Sequence, residues 1–131
     1  MLDLYLDVRS GVSTYMQIVH QIERAVRCGL LSPGDRLPAA REVVAALAIN
    51  PNTVLKAYAE LEGRGWVTSR AGVGTFVAET APRAVAADVH DRLTRSLRDW
   101  LAQASREGLD RDGIEALFSL TADTTAEGQV A

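Results

Sequence analysis

The sequence predicts a mainly α-helical protein with one small β-hairpin, and three observations carry that prediction. Two short helical segments meet at Asn50-Pro51, two β-favouring runs flank the glycine-rich stretch Ala71-Gly72-Val73-Gly74, and apolar residues recur at helical spacing on either side of this block.

The first helix is read from Tyr15, Ile18, Val19, Ile22, Ala25 and Val26, whose three- and four-residue spacing draws one stripe over Ser13 to Cys28, ended by Gly29. Leu30-Leu31-Ser32-Pro33-Gly34-Asp35 then reverses the chain: proline presets one backbone angle and glycine accepts the positive one. A second helix of two to three turns, Ala39 to Ala48, puts Val43, Val44 and Leu47 on one face. A third must start at Pro51, because asparagine is a strong N-cap and proline lacks only the N–H that has no partner at the first helical position. Its buried stripe is Val54, Ala57, Tyr58 and Leu61, which leaves Asn52, Thr53, Leu55, Lys56 and Glu60 on other faces. Gly63 and Gly65 stop it, and Trp66–Arg70 and Thr75–Ala78 form the hairpin. After Thr80-Ala81-Pro82, read as a hinge, Val85, Val89, Leu93, Leu97, Trp100, Leu101 and Ala104 trace a long amphipathic helix over Ala84 to Arg106. Gly108 ends it, Asp110 caps a short helix carrying Ile114, Leu117 and Phe118, and the small polar residues beyond are expected to be disordered.

The 131 residues leave little room for a large catalytic or ligand-binding domain beside this block, and 47% hydrophobic with 24% charged residues is the balance of a folded soluble chain. No run approaches the length needed to span a bilayer and the first residues do not read as a secretory signal, so a cytoplasmic location with no membrane partner is expected. The single cysteine, Cys28, with only His20 and His90 elsewhere, offers no metal-ligand spacing, and a buried or half-buried thiol is expected there. No metal, cofactor or catalytic constellation is expected. Net charge is −3, which by itself argues against nucleic acid, but the distribution along the chain points the other way. From residue 82 onward six arginines face nine acids, whereas Arg36, Arg41, Lys56, Arg64 and Arg70 outnumber Glu42, Glu60 and Glu62 between Arg36 and Val77.

A helix-turn-helix followed at once by a hairpin is a winged helix-turn-helix, here expected over residues 1–80, with an α-helical dimerisation segment over 81–121 and a disordered tail over 122–131. The motifs Tyr15-x-Gln17-Ile18, Gly29-x-Leu31-x-Pro33-Gly34-Asp35-x-Leu37-Pro38, Arg41-Glu42, Asn50-Pro51-Asn52-Thr53-Val54, Lys56-Ala57-Tyr58, Leu61-Glu62 and Gly72-x-Gly74-Thr75-Phe76-Val77 are ordered and ungapped. Together they resemble the GntR family of bacterial transcription regulators, and the short helical segment that follows is similar to its YtrA-type subgroup. The resemblance implies a repressor that binds operator DNA and dimerises through the C-terminal helices. Two positions depart from the family pattern: Ala39 stands where serine is usual, and Ala48 where glycine is common in the turn before the recognition helix.

A helix that starts at Pro51 fits the major groove with its N-terminal side chains at base edges, so Asn52, Thr53 and Lys56 are the expected readers. Thr53 and Asn52 have plain helix capping as the competing role. Arg41 sits where the family places a phosphate- or base-contacting arginine, and Glu42 offers it an ion pair instead. Gly72 and Gly74 let the wing tip approach the sugar-phosphate backbone, and Arg70 adds a charge there. Val89, Leu93, Leu97, Trp100 and Leu101 are the expected dimerisation stripe, with packing back on the same chain as the alternative. The expected partners are thus a double-stranded DNA operator and a second copy of the chain, with a small-molecule effector left open. A different class of function, an effector-binding or protein-docking module on the same scaffold, would be favoured by loss of the basic residues, which are retained.

Overall fold

The structure is a computed structural model describing residues 2–130, with side chains through residue 125. In chain order it holds α1 (Thr14–Arg27), α2 (Ala40–Leu47), α3 (Pro51–Gly63), β1 (Val67–Arg70), β2 (Gly74–Val77), α4 (Ala87–Arg106) and α5 (Arg111–Val130). The chain divides into two compact units, Met1–Ala86 and Ala87–Ala131.

In the first unit the stripe of α1 is buried as its spacing requires: Ile18, Val19 and Ile22 are fully enclosed and Ala25 and Val26 nearly so. They meet Val54, Ala57, Tyr58 and Leu61 of α3 and Val43 of α2. α1 ends with Gly29 at φ 79° and the Leu30 N–H donating to Ala25 O, a left-handed glycine stop. The Pro33-Gly34 turn closes with Asp35 N donating to Ser32 O at 2.9 Å. β1 and β2 pair antiparallel in the register Val67↔Val77 to Arg70↔Gly74, so the hairpin's base is buried through the two valines and its tip projects outward.

The structure departs from the sequence-based expectation at several places. Ala81 is buried with the core and its N–H donates to Ala78 O, so the Thr80-Ala81-Pro82 stretch belongs to the first unit and does not act as a boundary after residue 80. Residues Leu2 and Leu4 also pack on that core, through an extended segment in which Leu2, Leu4 and Leu6 alternate with Asp3, Tyr5 and Asp7 and to which the sequence-based expectation gave no element. Gln17 and Gln21 hold it: Gln21 exchanges two hydrogen bonds with the Tyr5 backbone, and Gln17 bonds Asp7 and Val12. Cys28 is exposed rather than buried, because it caps α1 one residue beyond the last turn and off its apolar stripe.

In the second unit Gly108 (φ 101°) and the Leu109 N–H to Ala104 O bond end α4, and Asp110 caps α5 by accepting from Gly113 N at 2.8 Å. α5 runs to Val130, so the expected disordered tail over 122–131 is helical as far as the described residues extend. Thr124 and Thr125 return their hydroxyls to the carbonyls of Leu120 and Thr121, the local bond that lets threonine sit inside a helix. Among the described residues no helix is long and apolar enough to cross a membrane.

Candidate nucleic-acid interface

Asn50 sits at the N-cap of α3, and its side chain accepts from Asn52 N at 2.8 Å. Capping is therefore done by Asn50, with Pro51 in the first turn, and the Asn52 side chain is exposed and free of that duty. With Val54, Ala57, Tyr58 and Leu61 turned to the core, the helix presents Asn52, Leu55, Lys56 and Ala59 outward as one stripe. Thr53 is half-buried beside it, so its hydroxyl is less available than that of an outward residue. Lys56 Nζ lies 4.1 Å from the centroid of the Tyr15 ring on α1, an attraction that orients the ammonium without neutralising it.

Tyr58 holds the start of α2 against α3. Its hydroxyl donates to Pro38 O at 2.6 Å, and burial, with the nearby Glu42 carboxylate adding, pushes the phenol well above its ordinary value. Ala48 makes the turn between the two helices at φ 53°, ψ 50°, the left-handed conformation for which glycine is common at this position.

Arg41, Arg70, Gly72 and Gly74 are brought together on one shallow, open surface between the start of α2 and the hairpin tip. Arg41 is exposed and forms no ion pair with Glu42. Arg70 lies 4.6 Å over the Phe76 ring, which sets its guanidinium along the strand. Gly72, at φ 73°, has open space where a Cβ would stand, so the turn alone demands glycine there. Asn52, Thr53 and Lys56 are not part of this surface; Asn52 and Lys56 lie on the separate outward stripe of α3, with Thr53 beside it. Arg36 lines the same surface, and Tyr15 orients Lys56, although sequence reasoning assigns neither residue a place at the site. Arg36 lies in a loop outside the helices and strands named above, and its one signal in the sequence is its share in the basic excess between Arg36 and Val77.

On the second unit Leu93 (58% exposed), Leu97 (47%) and Trp100 (36%) remain open along α4, with Phe118 (60%) on α5. Leu97, Trp100, Leu101, Ile114 and Phe118 line one apolar groove between the two helices. Val89 and Leu101 are half-buried.

A capped recognition helix with a polar outer stripe, behind a short helix and a glycine-tipped wing, defines a winged helix-turn-helix DNA-binding regulator. Residues 14–77 match the gntR family of bacterial regulatory proteins, and the chain belongs to the GntR family. It is 31% identical over 121 residues to the HTH-type transcriptional repressor YtrA of Bacillus subtilis, over 92% of this chain and 93% of that protein. Among solved structures it is similar to YtrA of Sulfolobus acidocaldarius, a GntR-family transcription factor, with 29% identity and a TM-score of 0.55 over 77% of this chain and 97% of that one. The DNA-binding domain of AraR, solved in complex with operator ORE1, is 27% identical with a TM-score of 0.51, over 56% of this chain and 89% of that one.

Proposed function

We propose that this chain is a cytoplasmic transcriptional repressor that binds an inverted repeat in double-stranded DNA as a homodimer. The observation that carries the reading is the outward stripe of α3: its N-cap is satisfied by Asn50, which leaves Asn52 and Lys56 exposed where a recognition helix meets base edges. Asn52 suits a paired contact with adenine, and Lys56 a guanine or a phosphate, each good pair being worth about 1–3 kcal/mol of discrimination. Thr53, beside them, adds a shorter reach. Arg41 and Arg70 with the wing glycines Gly72 and Gly74 take the sugar-phosphate backbone, and so fix the register in which α3 reads.

One half-site supplies few contacts, and a two-fold dimer doubles them. The open apolar face of α4 and α5 supports that assembly, because Val89, Leu93, Leu97, Trp100 and Leu101 form a surface that a second copy can cover with the same residues. The Bacillus subtilis relative is a repressor, and two subunits of this chain held across a promoter would exclude polymerase.

The test is a gel-shift titration on duplexes selected from genomic fragments by the parent protein. Asn52→Ala with Lys56→Ala should weaken binding by a few kcal/mol at most while thermal unfolding stays nearly unchanged, since both side chains lie off the core. Equal affinity of variant and parent would remove α3 as the reading element.

A further inference from the structure

Residues Asp35 to Leu37 run beside β2 as a short additional strand. Gly34 N donates to Val77 O at 2.9 Å, Val77 N to Asp35 O at 2.8 Å and Leu37 N to Thr75 O at 2.8 Å, with Arg36 bridged to Phe76. The wing is thus tied to the loop before α2 by its backbone, and the pairing sends the Arg36 side chain over Gly74. A Cβ on Gly74 would stand 2.8 Å from Arg36 Nε and 3.3 Å from Cζ, so the guanidinium lies against the bare face of Gly74, whose φ of 148° already favours glycine.

Arg36 is exposed, and no carboxylate among the described residues pairs with it. On one side it borders a cleft that also holds Asp3 and Glu42. On the other it shares the shallow, open surface between α2 and the wing with Arg41 and Arg70, and among the described residues no acidic one lines that surface. Three arginines line this open surface, and an anion bound there would offset their like charge. The planar fork of arginine matches the oxygens of a phosphate, and the gap lies between the two elements expected to touch the DNA backbone.

We propose that Arg36 is a further DNA contact: it binds a backbone phosphate between the one met by Arg41 at the start of α2 and the one met by Arg70 on the wing. The proposal rests on the DNA-binding reading above. The contact is independent of base sequence, and the backbone pairing of Asp35–Leu37 with β2 places Arg36 beside the wing.

The full chain is tested as parent, Arg36→Gln and Arg36→Lys, by fluorescence anisotropy over a salt titration. Two duplexes are used, the selected operator and a scrambled one of equal length. Arg36→Gln should lose about tenfold in affinity, by a similar factor on both duplexes. Its plot of log affinity against log salt should be shallower by about 0.9 for each Arg36 engaged. Arg36→Lys should keep the parent's slope with weaker binding, since it retains the charge without the fork. Thermal unfolding like the parent's shows that each variant is folded, and the lysine variant serves even where glutamine disturbs the wing. Parent slope in Arg36→Gln, with or without a loss of affinity, overturns the phosphate contact and leaves the DNA-binding reading standing. A lysine variant that also loses slope overturns it as well. A parent that binds neither duplex overturns the reading and this contact together.

Discussion

Ala48 gives the sharpest stability prediction in the chain. It ends α2 in the left-handed region, and among the described residues it is the one non-glycine with positive φ. For an L-residue that conformation brings Cβ too close to the next carbonyl, at a cost of roughly 1–2 kcal/mol. Glycine carries no such strain, but its freer unfolded chain takes back about 0.5–1 kcal/mol. Ala48 is exposed, so no packing is lost with its methyl group. Ala48→Gly should therefore stabilise the winged unit by about 0.5–1 kcal/mol, which for a domain of this size raises Tm by about 2–8 °C. Ala48→Val, β-branched at the same angles, should lower it. Thermal unfolding followed by circular dichroism reads both, and operator affinity should be unchanged in the glycine variant because the turn keeps its geometry. A glycine variant that melts at or below the parent's temperature refutes the strain argument.

Three other outcomes follow from the geometry. Leu97→Asp should convert a dimer into monomers with an intact winged unit and poor operator affinity; covering a half-exposed leucine is worth about 1 kcal/mol per chain, and a buried unpaired charge costs more. Light scattering reads this, and a variant that stays dimeric, or a monomeric parent at micromolar concentration, counts against the α4–α5 interface. The raised Tyr58 phenol keeps its proton in the folded state where the unfolded chain releases it, so its contribution is full below pH about 10 and falls as pH rises beyond that. Tyr58→Phe should lose about 1 kcal/mol at neutral pH with the bond to Pro38 O and flatten the alkaline limb of denaturation, and an unaltered limb would contradict it. Cys28, being exposed, should react fully with a thiol reagent in the folded protein, and protection until unfolding would contradict its placement.

Where the sequence was legible, local chemistry decided the structure. Asn50-Pro51 marks the start of α3 to the residue because capping and a missing N–H are short-range requirements, and the stripes of α1 and α3 are buried as their spacing demands. The turn at Pro33-Gly34 and the hairpin were legible for the same reason. What escaped was set at longer range or carried no period. The strand-like pairing of Asp35–Leu37 with β2 depends on backbone bonds between distant segments, so the sequence shows Arg36 as a charge without showing its place at the site. Gln17 and Gln21 look like solvated residues of α1, yet they anchor the extended segment before it. The final turns of α5 lack an apolar stripe, and threonine hydroxyls bonded to preceding carbonyls hide there as ordinary polar residues. Among the candidate contacts, Arg41, Arg70, Gly72 and Gly74 converge on one surface, which their separation along the chain does not reveal.

The central claim, a dimer that reads an inverted repeat with two copies of α3, is tested most directly by footprinting the parent protein on a selected genomic duplex while measuring the stoichiometry of the complex. Two chains per site and two symmetric protected half-sites about one helical turn, or a multiple of it, apart are expected. Binding to a duplex that carries one half-site alone should be far weaker. One chain per site, with equal affinity for the half-site duplex, would contradict the claim.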